Sequence, residues 1–212
     1  MIQPLDPTGI DTIIVDLGNV IIDIDYDTMV AEFGKIASRD FSEIVSYTQQ
    51  DNVFNLFEKG QISVPDFRSA LRKYLHDHIT DEQIDAAWNA ILHKYPAEKF
   101  DLLKRLRGKY KIYALSNINQ IHLDDIDRYV APFFGVADMR SYFDHAYYSH
   151  EMGLRKPEPE IYQAVIDHGG IDPAHTLFID DKAENTAAAE ALGFRVHQLR
   201  ERDSLVELMR LF

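Results

Sequence analysis

Two apolar runs that end abruptly in carboxylates constrain this chain more than any other feature. They are Ile13-Ile-Val15-Asp16 near the start and Leu177-Phe-Ile179-Asp180-Asp181 near the end. β-Branched and aromatic residues dominate both runs, which suits strands covered on both faces. A carboxylate is too costly for the interior of such a strand. The acids therefore belong at the carboxyl ends, where an open parallel sheet gathers its catalytic and metal-binding groups.

The rest of the chain supplies the sheet. Residues 12–22 form one apolar run, with Gly18 expected to let the backbone turn sharply. Lys111–Ser116 reads as a strand, 142–149 as carrying a short one, and 194–199 as the last. Helices are predicted between them, after Pro96 up to Gly108, over 158–168 and over 185–192. This alternation argues for a parallel sheet with helices on both faces. From about Asp27 to Tyr95 the spacing is helical instead, as in Phe67, Ala70, Leu71, Tyr74 and Leu75, and no strand is expected there. Ser63-Val-Pro-Asp66 and the capping-box form Thr80-Asp-Glu-Gln83 mark helix starts within this insertion.

Charge narrows the function. The 212 residues carry 22 basic and 35 acidic side chains, a formal charge of −13, without a Lys/Arg cluster. A nucleic-acid partner is not expected. No apolar stretch approaches the ~18 residues of a membrane span, and residues 1–10 lack the basic and apolar regions of a secretion signal. The expectation is a soluble, cytoplasmic protein with no membrane partner. Lack of cysteine removes disulfides, thiolate nucleophiles and cysteine metal sites.

Four polar segments follow one another: Asp16-Leu-Gly18-Asn-Val20, Leu115-Ser116-Asn117-Ile-Asn119, Gly153-Leu-Arg155-Lys156-Pro157, and Asp180-Asp181 with Asn185, Ala189 and Leu192-Gly193. Taken singly, each has an ordinary explanation, as a turn, a helix cap or a surface lysine. Chemistry offers another. Adjacent carboxylates raise one another's pKa unless a cation neutralises them, and an ammonium can hold together two anions that repel.

In this order and at these separations the segments resemble the four motifs of the haloacid dehalogenase (HAD) superfamily of phosphohydrolases, from about Thr12 to Gly193. The resemblance implies a HAD-like, Rossmann-like α/β fold. Residues 1–22 and 96–212 would form the core and 23–95 an inserted helical C1-type cap. It implies that Asp16 attacks phosphorus to give an aspartyl phosphate, that Lys156 steadies Asp16 and the phosphate, and that Ser116 and Asn117 bind the phosphoryl oxygens. Mg²⁺ would be held by Asp16, the Gly18 backbone carbonyl and Asp181, with Asp180 standing behind them. The Asp-Leu-Gly-Asn-Val segment resembles a branch that includes sugar-phosphate phosphatases similar to the bacterial α-D-glucose-1-phosphatase. The expected activity is thus Mg²⁺-dependent hydrolysis of a small phosphorylated metabolite, a sugar phosphate first.

Gly18 departs from the family pattern, in which a second Asp two residues after the nucleophile acts as acid and then base. Asp23, Asp25, a cap residue or water are the alternatives. The departure motivates a second reading, a phosphate-binding protein with little activity. A third, a haloacid dehalogenase, needs no Mg²⁺ and leaves Asp180-Asp181 without a task. Arg155 is expected to join Lys156 and the metal in a positive patch. Glu58-Lys-Gly60 with Ile62-Ser63 resembles the loop by which such caps face the site and select substrate. His122 reads as a surface or hydrogen-bonded structural histidine.

Overall fold

The computed structural model describes residues 5–38, 53–200 and 205–212. Its strands are β1 (Thr12–Val15), β2 (Asp23–Ile24), β3 (Leu92–Lys94), β4 (Lys111–Ser116), β5 (His145–Tyr148), β6 (Thr176–Asp180) and β7 (Arg195–Gln198). Its helices include α1 (Tyr26–Ile36), α2 (Val53–Glu58), α3 (Val64–Arg72), α4 (Asp81–Asn89), α5 (Ala97–Leu106), α6 (Gln120–Phe134), α7 (Ser149–Met152), α8 (Pro159–Gly169) and α9 (Ala183–Ala191).

Five of the strands form one parallel sheet in the order β5-β4-β1-β6-β7. The chain builds outward from β1 to β5 on one side and then returns to lay β6 and β7 on the other. The loops leaving β1 and its neighbours therefore diverge, which opens a crevice at their carboxyl ends. Val15 lies opposite both Ala114 and Ile179, so Asp16 emerges level with the ends of β4 and β6.

The period-2 alternation of the strands divides the core into two layers. Ile13 and Val15 pack with Ala114, Leu177 and Ile179 against Phe100 and Leu103 of α5 and Ile126 and Val130 of α6. Ile14 faces the other way, with Leu115 and Phe178, against Ile161 and Val165 of α8 and Ala189 of α9. Each such side chain, fully buried, contributes about 1.5–3 kcal/mol of hydrophobic stabilisation. A third cluster joins Met29, Phe33, Phe57, Phe67, Ile84 and Trp88 of α1–α4 and touches the sheet's own layer through Ile121 of α6.

The helical block begins as its sequence directs. Ser63 caps α3, and Thr80 and Gln83 complete a capping box on α4. Residues 39–52 of the block lie outside those described. Three local expectations are corrected. A strand does occur near the end of the block: β3 pairs antiparallel with β2. Leu-His-Lys is too short and too polar to announce itself by periodicity, and its pairing partner supplies the order. The left-handed residue of the loop after β1 is Asn19 (φ 57°) rather than Gly18. Asn tolerates this region, and its side chain anchors the turn by accepting from the Ile24 N–H at 3.3 Å. Helix α5 ends at Leu106 with Arg107 still right-handed, so Gly108 is not a left-handed cap. No helix among the described residues is long and apolar enough to cross a membrane.

Candidate active site

Asp16 is fixed first by the backbone: its N–H donates to the Ile179 carbonyl at 2.9 Å and continues the β1–β6 ladder one residue beyond the strand. Lys156 arrives from the segment before α8, with Nζ 3.0 Å from Asp16 Oδ1 and 2.6 Å from Asp180 Oδ2. The lysine side chain is 1% exposed and that of Asp180 0%, so neither charge meets bulk water. One ammonium between two carboxylates offsets part of the desolvation penalty that each would carry alone.

Each member of this trio is held from behind. Asp180 Oδ1 accepts from the Lys182 N–H and the Asn185 amide, both at 2.9 Å, while Oδ2 also takes the Asn185 amide at 3.0 Å. Asn185 is braced in turn by the Tyr162 hydroxyl, which donates to its carbonyl at 3.0 Å. The Asn117 side chain clamps the Lys156 backbone from both sides, accepting its N–H at 2.8 Å and donating to its carbonyl at 2.9 Å. Ser116, at the end of β4, lines the adjoining cavity with Asn117. The Lys156–Pro157 peptide is cis, and α8 begins at Pro159, one residue after the start the sequence predicts.

Electrostatics follow from this burial. Loss of water pushes the Asp16 carboxyl up to about 6, the nearby negative charge of Asp180 adds to the rise, and Lys156 pulls against it. Burial works against the charge of Lys156, but Asp16 and Asp180 outweigh it and hold its pKa above the ordinary lysine value. The lysine therefore stays charged at neutral pH.

Oxygens of Asp16, Asp180 and Asp181 all lie within 4.8 Å of one another. Asp180 has both oxygens engaged by donors, whereas Asp181 receives the Asn19 amide on Oδ2 at 3.0 Å. Oxygen donors at this spacing fit a hard divalent cation. Gly18 stands in the same loop, and a Cβ on it would meet Ile24 Cδ1 at 3.4 Å. Ile24 thus occupies the neighbourhood into which a side chain at position 18 would grow.

A cavity of about 130 Å³ begins at Leu17 and Gly18, next to Asp16 in the chain, and is lined by the loops of β1 and β4 and by the helical block. Gly18, Ser116 and Asn117 form its floor, with Trp88, Asn119 and His122 also in its walls and Tyr26 and Glu58 from the helical block. The Tyr26 hydroxyl and the Lys182 amine lie within electrostatic reach of Asp16, Asp181 and Glu58.

The other acids proposed for proton transfer are engaged elsewhere. Asp23 is buried against Lys99 Nζ at 3.0 Å, and Asp25 caps α1 by accepting from the Asp27 and Thr28 N–H groups. Arg155 pairs with Glu58, Nη2 to Oε2 at 2.9 Å, so its charge is already matched. Lys59 Nζ meets Glu158 at 2.6 Å, and between the two pairs Gly60 (φ 62°) presses on the backbone of α7. A Cβ at Gly60 would stand 2.0 Å from the His150 carbonyl oxygen. The loop Glu58-Lys-Gly60 is therefore docked on the segment that carries Lys156.

Sequence reasoning missed Asn19, Trp88, Asn119 and Lys182 as members of this site. Trp88 had the helical spacing of a core residue, which it also is. The available signal was Asn119: an Asn directly before a helix is a cap, and its Oδ1 receives the His122 N–H at 3.1 Å and Trp88 Nε1 at 3.3 Å.

Comparison with known proteins agrees with the fold. The haloacid dehalogenase-like hydrolase family matches residues 10–193. A D-ribitol-5-phosphate phosphatase of Bacteroides thetaiotaomicron is 31% identical over 191 residues, covering 89% of this chain and 91% of the relative. A HAD family enzyme of the same organism superposes with a TM-score of 0.90 at 38% identity, covering 96% of this chain and 100% of that one. The same enzyme, solved with magnesium and inorganic phosphate, gives a TM-score of 0.87 at 38% identity over 95% and 100% of the two chains. The chain is an enzyme of the haloacid dehalogenase-like hydrolase family.

Proposed function

We propose that this enzyme is a Mg²⁺-dependent phosphatase acting on a small phosphomonoester, a sugar or sugar-alcohol phosphate by class, through an aspartyl phosphate on Asp16. The observation that carries the reading is the buried Lys156 ammonium, 3.0 Å from Asp16 Oδ1 and braced by Asp180 and Asn117. Magnesium and phosphate in a related HAD family enzyme and the activity named for the phosphatase relative support it. Asp16, Asp181 and the Gly18 carbonyl would hold Mg²⁺, which when bound supplies positive charge for the phosphoryl oxygens. Residues 23–95 would act as the cap and 1–22 with 96–212 as the core.

In this mechanism Asp16 attacks phosphorus in line as the ester P–O bond opposite breaks and the alcohol leaves, taking its proton from water, while Lys156 keeps the carboxylate ionised and faces the charge that gathers on the phosphoryl group. Ser116 offers a hydroxyl to the same group. Water then attacks the aspartyl phosphate and frees the carboxylate. Quenching during turnover and mapping the acyl phosphate by mass spectrometry tests the step. The expected adduct is on the peptide containing Asp16; turnover with no adduct, or one elsewhere, contradicts it.

Gly18 favours a second reading, a phosphate-binding protein with little turnover. A Cβ at residue 18 would touch Ile24 Cδ1 at 3.4 Å, an ordinary contact, but among the described residues no hydrogen-bond donor is seen there to orient a carboxylate. Gly18→Asp is therefore expected to give no gain in rate. A large gain would assign the natural chain to the second reading.

A further inference from the structure

The cavity wall facing the phosphate end has free polar atoms but no free charge. Trp88 and His122 stack with ring centroids 5.0 Å apart and 9° between planes. His122 Nδ1 lies 2.9 Å from Asn89 Oδ1, an acceptor, so the ring proton is on Nδ1 and Nε2 presents a lone pair. Nε2 has no protein partner among the described residues. The Asn119 oxygen is taken by Trp88 and the His122 backbone, which leaves its amide N–H groups in the same condition. Neither atom is among the fully buried polar atoms lacking a partner, so both keep some exposure, and both residues line the cavity.

The wall therefore offers one acceptor, one donor and an indole face. Among the described residues no lysine or arginine lines the cavity; the ionisable ones that do are Tyr26, His122 and Glu58, the last matched by Arg155. Burial moves the His122 pKa down to about 3 and keeps the ring neutral. A second anionic group on the substrate would be desolvated here beside Glu58, whose partner Arg155 is already matched, and Lys182, within electrostatic reach of Tyr26 and Glu58, does not itself line the cavity. The volume, about 130 Å³, is below the ~300–1,000 Å³ of ordinary small-molecule sites.

Building on the phosphatase reading, we propose that this cavity selects an uncharged leaving group of a few carbons bearing hydroxyls, with His122 Nε2 and the Asn119 amide reading one hydroxyl against the Trp88 face. His122 and Asn119 are then specificity-determining residues on the core side of the cavity, distinct from the groups that act on phosphorus. Esters with a carboxylate or second phosphate next to the scissile group are excluded by missing charge as much as by size.

The test compares kcat and KM for glycerol 3-phosphate and ribitol 5-phosphate with those for 3-phosphoglycerate, which places a carboxylate where glycerol has a hydroxymethyl group. Phenyl phosphate serves as an ester without a hydroxyl. Wild type is expected to favour one or both polyol phosphates over 3-phosphoglycerate by at least ~10-fold in kcat/KM. His122→Phe, which keeps a ring on Trp88, should lower kcat/KM for that polyol phosphate by roughly 10- to 100-fold, mainly through KM, and at least ~5-fold more than it lowers kcat/KM for phenyl phosphate. His122→Gln, which restores an acceptor, should recover part of the loss. Equal use of 3-phosphoglycerate, or equal loss on both esters in His122→Phe, overturns this inference while leaving the phosphatase reading intact. Failure of wild type to hydrolyse every ester overturns both.

Discussion

The carboxylate end of the site and the cavity beside it are built on opposite plans. At the sheet edge nearly every polar atom has a designated partner: Lys156 between Asp16 and Asp180, Asp180 under Asn185 and Lys182, and the Lys156 backbone clamped by Asn117. In the cavity, aromatic and neutral groups dominate and the His122 and Asn119 side chains keep polar atoms in reserve. Saturation fixes a nucleophile to within the tolerance of in-line attack, where preorganisation lowers the barrier. Unused donors and acceptors do the reverse and wait for a ligand. On the proposed reading, the difference separates the two tasks: the reaction belongs to the core, and choice of substrate to the place where core and helical block meet.

The strongest way to break the comparison is to unsaturate the charged end. Lys156→Met should lower phosphate release by at least ~10³-fold and destabilise the fold by about 3–5 kcal/mol, because two buried carboxylates lose their shared cation. Urea unfolding and steady-state rates measure the two effects. A stable, active Lys156→Met would mean the charges are solvated after all. Gly60→Ala comes next: its Cβ cannot share space with the His150 carbonyl, so the docked loop must shift, at a cost of about 1–3 kcal/mol. Its kcat/KM should fall with thermal stability, whereas Gly34→Ala, inside α1 with nothing within 4 Å of its Cβ, should leave kcat/KM unchanged and raise stability by about 0.5–1 kcal/mol.

A smaller effect sharpens the cavity side. His122 is held neutral by burial, with its pKa near 3, while in the unfolded chain it takes up a proton below ~6.5. Its contribution to stability is complete above that pH and is lost as pH falls toward the folded value, by at most about 1.4 kcal/mol per pH unit. Between pH 7 and 5 the wild type should therefore lose about 1–2 kcal/mol more than His122→Phe in urea titrations. Parallel losses would show that the ring is solvated.

Much of the architecture was legible in the sequence because strands and helices of the core carry their periods openly. The runs ending in Asp16 and Asp180 are apolar enough to have one reading, and the Thr80–Gln83 box marks a helix start that the structure contains. What escaped notice depends on distant contacts. β3 is a strand through its pairing with β2, some seventy residues away in the chain. Asn117 and Asn185 look alike as polar residues near element ends, yet one clamps a backbone and the other a carboxylate. Arg155 illustrates the same limit: adjacency to Lys156 suggested a shared patch, but Glu58 from the helical block matches its charge.

The central claim is that Asp16, held by Lys156, carries Mg²⁺-dependent phosphate ester hydrolysis. Phosphate release from a panel of small phosphomonoesters, with Mg²⁺ and with EDTA, for wild type and Asp16→Asn, tests it most directly. Turnover that requires Mg²⁺ and falls by at least ~10⁴-fold in a folded Asp16→Asn is the predicted result. Turnover that survives EDTA, or that persists in Asp16→Asn, would contradict the account.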